Sequence, residues 1–184
     1  GTQGLANRNS NFVTIRQVDV ADNGRGPGIV STQGGNILID GCTVTNASSN
    51  GILFRGSPPP NRVHDGTVQN CVVRGTKAND GIVLHNADTI HETVGANFVL
   101  RDNRSEDNFE QGFDITSGSD ILLEGNATRN NLKGSISIGH QATRVRVRYH
   151  RAEGEPTLKT AQTIKITVPD VLIEYSVLVG SSRH

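Results

Sequence analysis

The sequence predicts an all-β fold, a single-stranded parallel β-helix (solenoid) of about seven coils with three short strands per coil. Three observations carry this reading. The 184-residue chain is rich in Gly, poor in aromatics and without Trp or Met. Its apolar residues are mostly Val, Ile and Leu in short alternating runs, which suits short strands and tight turns rather than helices. An apolar anchor recurs at Ile15, Ile39, Val68, Leu100, Leu123, Val147 and Ile173, at intervals of 24, 29, 32, 23, 24 and 26 residues. A coil of that length cannot bury its apolar face alone, whereas coils stacked about 4.8 Å apart build a continuous core. A propeller blade needs about 40 residues, and the two-residue hairpin turns of a sandwich are scarce here.

Each coil repeats the same elements. The first strand pairs its anchor with an apolar residue two positions earlier (Val13, Ile37, Phe98, Ile121, Val145, Val171), with Gly66 as the exception. The second strand points residues three and five past the anchor inward. At three past, the column runs Val18, Cys42, Cys71, Asn103, Asn126, His150, Ser176. Stacked Asn side chains there can pass amide hydrogen bonds along the axis. Cys42 and Cys71 fall on neighbouring coils, close enough for a disulfide, although stacked side chains point in parallel and free thiols fit better. His150 reads as a satisfied core histidine. The third strand opens after Gly28, Gly51, Gly81, Gly112 and Gly134, at corners expected to need φ > 0, while Gln162 holds that place in the sixth coil. The first ten residues, GTQGLANRNS, read as loop, and the closing GSSRH offers no capping helix. The chain is expected to be one β-helix domain, 1–184, a fragment or mature part of a longer protein whose ends meet flanking domains or associate end to end.

Eighteen basic and eighteen acidic residues balance, so no global field points to nucleic acid. No apolar run approaches the roughly 20 residues of a spanning helix. Neither a nucleic-acid nor a membrane partner is expected. The departures from the repeat are two insertions, 55–66 (RGSPPPNRVHDG) and 85–96 (HNADTIHETVGA), which leave the same corner of neighbouring coils and should pack together. Solenoid insertions map to one face, often the binding face. His64, His85, His91 and His140 gather at that corner with Asp65, Asp88, Glu92 and Asp120. Imidazole beside carboxylate suits proton transfer, and ordinary solvated loop residues are the competing reading. The H-x₅-H spacing of His85 and His91 matches no metal signature, so no metal or cofactor is expected. Arg144, Arg146 and Arg148 project outward from one strand, with Lys165 nearby in the stack. They could hold an acidic polymer or form a solvated face with Glu153 and Glu155. Tyr149 and Tyr175 are placed to stack on each other.

The stretch 88–115, DTIHETVGANFVLRDNRSEDNFEQGFDI, resembles the catalytic modules of secreted mannuronan C5-epimerases, within the right-handed parallel β-helices of the pectate-lyase-like superfamily. Arg101-Asp102-Asn103 and Gly112-Phe113 match that family's R-D-N corner and G-F strand. Asp88, His91 and Glu92 match its D-P-H-E motif with one extra residue. The resemblance implies proton abstraction at C5 of a uronate, with His91 as base, Asp88 as its partner, and Arg101 or His85 holding the sugar carboxylate. His64, Asp65, Glu92, Asp114 and His140 are the expected substrate contacts. Two functions stay open. One is a secreted or cell-surface module facing an acidic polysaccharide, epimerase-like or lyase-like on an alginate-like polyuronate. The other is a non-catalytic structural or binding solenoid segment of a larger surface protein, spike or filament.

Overall fold

A computed structural model describes residues 3–85, 91–155 and 163–180. First strands are β2 (Val13–Arg16), β5 (Gly35–Asp40), β8 (His64–Gln69), β11 (Ala96–Arg101), the C-terminal halves of β13 (Gln111–Glu124) and β15 (Gly134–Arg148), and β18 (Val171–Glu174). Second strands are β3 (Asp19–Ala21), β6 (Thr43–Thr45), β9 (Val72–Arg74), β12 (Arg104–Glu106), β14 (Ala127–Arg129), β16 (Arg151–Glu155) and β19 (Val177–Gly180). Third strands are β4 (Arg25–Ser31), β7 (Ile52–Arg55), β10 (Ile82–His85), the N-terminal halves of β13 and β15, and β17 (Ile164–Ile166). Each pairs in parallel only with its counterparts on adjacent coils. All seven anchors stand in one register, Ile15 to Ile39 to Val68 to Leu100 to Leu123 to Val147 to Ile173.

Three differences from the sequence reading have physical causes. The first ten residues are not simply loop, because β1 (Gln3–Asn7) adds a strand to β4, with Leu5 packed against the core. In the fourth and fifth coils the link to the next first strand is so short that pairing continues through the corner. This fuses two strands into β13, with one register shift between Ile115 and Ser117. Finally, most glycines opening the third strands answer to crowding rather than to backbone sign. Gly134 has positive φ, but Gly28, Gly51, Gly81 and Gly112 do not. A Cβ on Gly81 would lie 2.6 Å from the Gly112 carbonyl oxygen of the next coil. The left-handed corner positions go instead mainly to Asn and Asp, among them Asn46, Asn70, Asp102 and Asp120.

The missing apolar partner at Gly66 has a similar explanation. Phe54 and Phe98 fill that layer with ring centroids 5.3 Å apart, and a Cβ on Gly66 would stand 2.7 Å from Phe98. The asparagines of the polar column are satisfied as expected, whereas His150, expected to be satisfied, is so at one ring nitrogen only. Asn103 Nδ2 donates to Asn126 Oδ1 at 3.0 Å and to the Val68 carbonyl at 2.9 Å, and Asn126 Nδ2 donates to the Leu100 carbonyl at 2.7 Å. A second ladder joins Asn108 to Asn131 at 2.8 Å. Cys42 and Cys71 are buried free thiols, and burial pushes the Cys71 thiol up to about 12. His150 is buried in the same column, its Nε2 2.7 Å from Ser135 Oγ, while its Nδ1 has no partner among the described residues. Tyr149 and Tyr175 stack with centroids 5.4 Å apart.

The two insertions do pack together. Gly95 N–H donates to the Val63 carbonyl at 2.7 Å, Gly56 N–H donates to the His85 carbonyl at 2.7 Å, and Val63 and Val94 are buried. Among the described residues no helix is long and apolar enough to cross a membrane. The last coil leaves Leu172, Val177, Leu178 and Val179 about half exposed.

Candidate active site

The third-strand face carries a column of outward side chains in strict register: Val30, Leu53, Val83, Asp114, Ser137 and Lys165. Two residues further along, Arg55 and His85 pair in the same way. At the corner before these strands, Asn50, Asp80 and Gln111 form another column, joined through the backbone. Asp80 N–H donates to Asn50 Oδ1 at 3.2 Å, and Gln111 N–H donates to Asp80 Oδ1 at 2.8 Å. Asp80 therefore occupies a position where an amide oxygen would serve the scaffold equally well.

These columns border a cleft of about 480 Å³, whose lining includes Asp80, Glu110 and Asp114 together with Leu53, Arg55 and His85. Burial, and then the charge of Asp114, pushes the Asp80 carboxyl up to about 7. Burial likewise raises Asp114 to about 6; a hydrogen bond from Ser137 works against this, and the charge of Glu110 adds to it. Two buried carboxyls that repel each other cannot both ionise easily, so the pair holds a proton near neutrality. Lys165 favours the ionised form of Asp114, which leaves that proton on Asp80. One carboxylic acid and one carboxylate facing the same cleft can give a proton and take another. Among the described residues no group of three His, Cys, Asp or Glu side chains is arranged to hold a metal ion.

The candidate residues from the sequence divide sharply. His85 and Asp114 meet in the cleft. His91 is exposed on the second insertion, where its carbonyl accepts from Arg62, and neither it nor Glu92 lines the cleft. Asp88 lies outside the described residues. His64 and Asp65 pair with each other at 2.6 Å, and Asn97 donates to Asp65 at 2.8 Å, a bond that with His64 holds the Asp65 carboxyl below its usual range. His140 is exposed at the corner within β15. Arg101 is exposed at the end of β11 and donates to Gln69 at 3.3 Å. Asp80, Glu110 and Arg55 were not among the candidates. A signal for Asp80 was present: it is a carboxylate in a column of amides, just before a third-strand glycine.

The arginine stripe contrasts with the cleft. Arg144 makes two bonds of 2.7 Å to Asp120, Arg146 lies 3.0 Å from Glu174, and Arg148 lies 2.7 Å from Glu124. Each guanidinium meets a carboxylate of an adjacent coil, which makes this face a ladder of matched charge.

A solved structure titled "Glycoside hydrolase" shares the fold, with a TM-score of 0.55 and 12% identity over 94% of this chain and 37% of that one. The chain thus spans little more than a third of that neighbour's length. No curated protein matches the sequence. The family model described as a right-handed beta helix region matches residues 3–163, and the chain belongs to the right-handed β-helix family.

Proposed function

We propose that this module acts on a polysaccharide by acid–base chemistry at Asp80 and Asp114, breaking a glycosidic bond by hydrolysis. The observation that carries the reading is a pair of buried carboxyls lining one cleft on the third-strand face, the charge of one raising the other. Glycosidases use two carboxyl groups, one kept protonated by its surroundings and one ionised. Asp80, the more strongly raised, protonates the leaving oxygen. Asp114, stabilised as an anion by Ser137 and Lys165, takes a proton from the attacking water, whose oxygen bonds to the anomeric carbon as the leaving sugar departs as an alcohol. The name of the structural neighbour agrees with this chemistry. A polymer substrate implies action outside the cell, by a secreted or surface-bound protein.

A second reading keeps the polyuronate chemistry suggested by the epimerase resemblance. It is favoured by His85 and Arg55, which face the same cleft and could serve as base and as partner of a sugar carboxylate. Incubation with polygalacturonate, alginate, galactan and xylan separates the readings. Hydrolysis gives new reducing ends without unsaturation, β-elimination gives unsaturated ends, and epimerisation changes the uronate ratio by proton NMR. We expect the first, abolished in Asp80→Asn. Reducing ends released equally by Asp80→Asn would overturn the assignment. No product from any polymer would favour the non-catalytic solenoid.

A further inference from the structure

A second hollow of about 170 Å³ adjoins the acid cleft and shares Gly26, Pro27, Leu53 and Arg55 with it. Its own walls add Arg8 and Arg25, together with Val30. The two hollows form one trough running across the coils, acidic at one end and basic at the other. Several outward arginines elsewhere on the surface are neutralised by carboxylates. Arg16 lies 3.1 Å from Asp40, Arg74 lies 3.0 Å from Glu106, and Arg144, Arg146 and Arg148 are paired as described. Arg8 and Arg25 are exposed and make no ion pair among the described residues. Cations gathered in a concave wall that adjoins the acid cleft, two of them without a carboxylate partner among the described residues, point to a ligand that supplies the negative charge.

We propose that Arg8 and Arg25, beside Arg55, form an anion subsite for an acidic group on the sugar chain, a uronate carboxylate or a sulfate ester. The proposal rests on the hydrolytic reading of the neighbouring cleft and specifies its substrate. Arg25 is on the first coil, Asp80 on the third and Asp114 on the fourth. Coils rise about 4.8 Å each, so the guanidinium lies roughly 10–14 Å along the axis from the acid pair. A sugar unit in an extended chain advances about as far as one coil. The charged sugar therefore sits two or three units from the bond that is cut, with Val30 and Leu53 as the apolar floor between them.

The test uses Asp80→Asn, which retains the backbone bond but cannot cleave. Its affinity is measured calorimetrically for hexamers of galacturonate, of sulfated galactose and of unmodified galactose. We expect one anionic hexamer to bind about tenfold or more tightly than the neutral one, and which one does so distinguishes carboxylate from sulfate. The preference should weaken with salt and vanish when Arg8→Ala and Arg25→Ala are added. Equal affinity for all three hexamers, or a preference that survives both arginine changes, would overturn the subsite. The hydrolytic reading fails separately, if the wild type binds the anionic hexamer through these arginines and yet releases no reducing ends.

Discussion

The first-strand and third-strand faces of this solenoid use the same device, outward residues stacked at one coil's spacing, to opposite ends. On the first-strand face of the later coils, Asp120, Glu124 and Glu174 each meet an arginine, and the Asp120 carboxyl is held below its usual range, chiefly by its bond from Arg144. On the third-strand face Asp80 and Asp114 are buried beside each other and shifted the other way. A carboxylate matched by its neighbour secures the stack. Carboxyls left in mutual conflict lower stability, and that cost points to use.

Removing the conflict should have the largest effect on activity. Asp80→Asn and Asp114→Asn should each reduce the release of reducing ends roughly 100-fold or more, with the far-ultraviolet dichroism of the coil unchanged. The same pair fixes the pH profile. In kcat/KM, activity should fall above about 7 as Asp80 loses the proton it must donate, and below about 6 as Asp114 takes one up. A profile flat from pH 5 to 8 would contradict this.

For stability the order reverses. Asn126→Ala strips the acceptor from Asn103 and leaves the Leu100 carbonyl without its donor, so denaturant melts should show a loss of about 2–4 kcal/mol. Asp80→Asn should stabilise. In the unfolded chain this carboxyl ionises near the ordinary 3.8, but in the fold it keeps its proton to about 7. The folded state binds the extra proton, so stability declines as pH rises between those values. An amide removes the decline, a gain of about 4 kcal/mol at pH 8 that disappears at pH 3. Arg144→Ala, on the matched face, should leave the melting temperature nearly unchanged, because an exposed pair contributes little.

Most of the architecture was legible because it is periodic. Seven anchors and the Asn103–Asn126 column depend on side chains that repeat, and repetition survives without coordinates. Local crowding was not legible. Gly66 looked like a gap in the pattern until Phe54 and Phe98 were seen to fill it, and Gly81 looked like a turn glycine although its constraint is a carbonyl on the next coil. The site was half legible for the same reason. His85 was named with the histidines of the insertion corner, and Asp114 among the substrate contacts expected from the epimerase resemblance. Asp80 was not named, since its shift comes from burial and from Asp114, a residue 34 positions away in sequence. The sequence pointed to the histidine-rich insertions, which do pack together, but of the buried acid pair Asp114 lies on a third strand and Asp80 at the corner just before one.

The most direct test of this contrast is a titration of the Asp and Glu carboxyl carbons by NMR. Asp80 and Asp114 should titrate together near neutrality, Asp114→Asn should return Asp80 toward the ordinary range, and Asp120 should stay below it throughout. If Asp80 titrates near 4 in the wild-type protein, the pair does not hold a proton at neutral pH, and the acid–base account of the cleft is wrong.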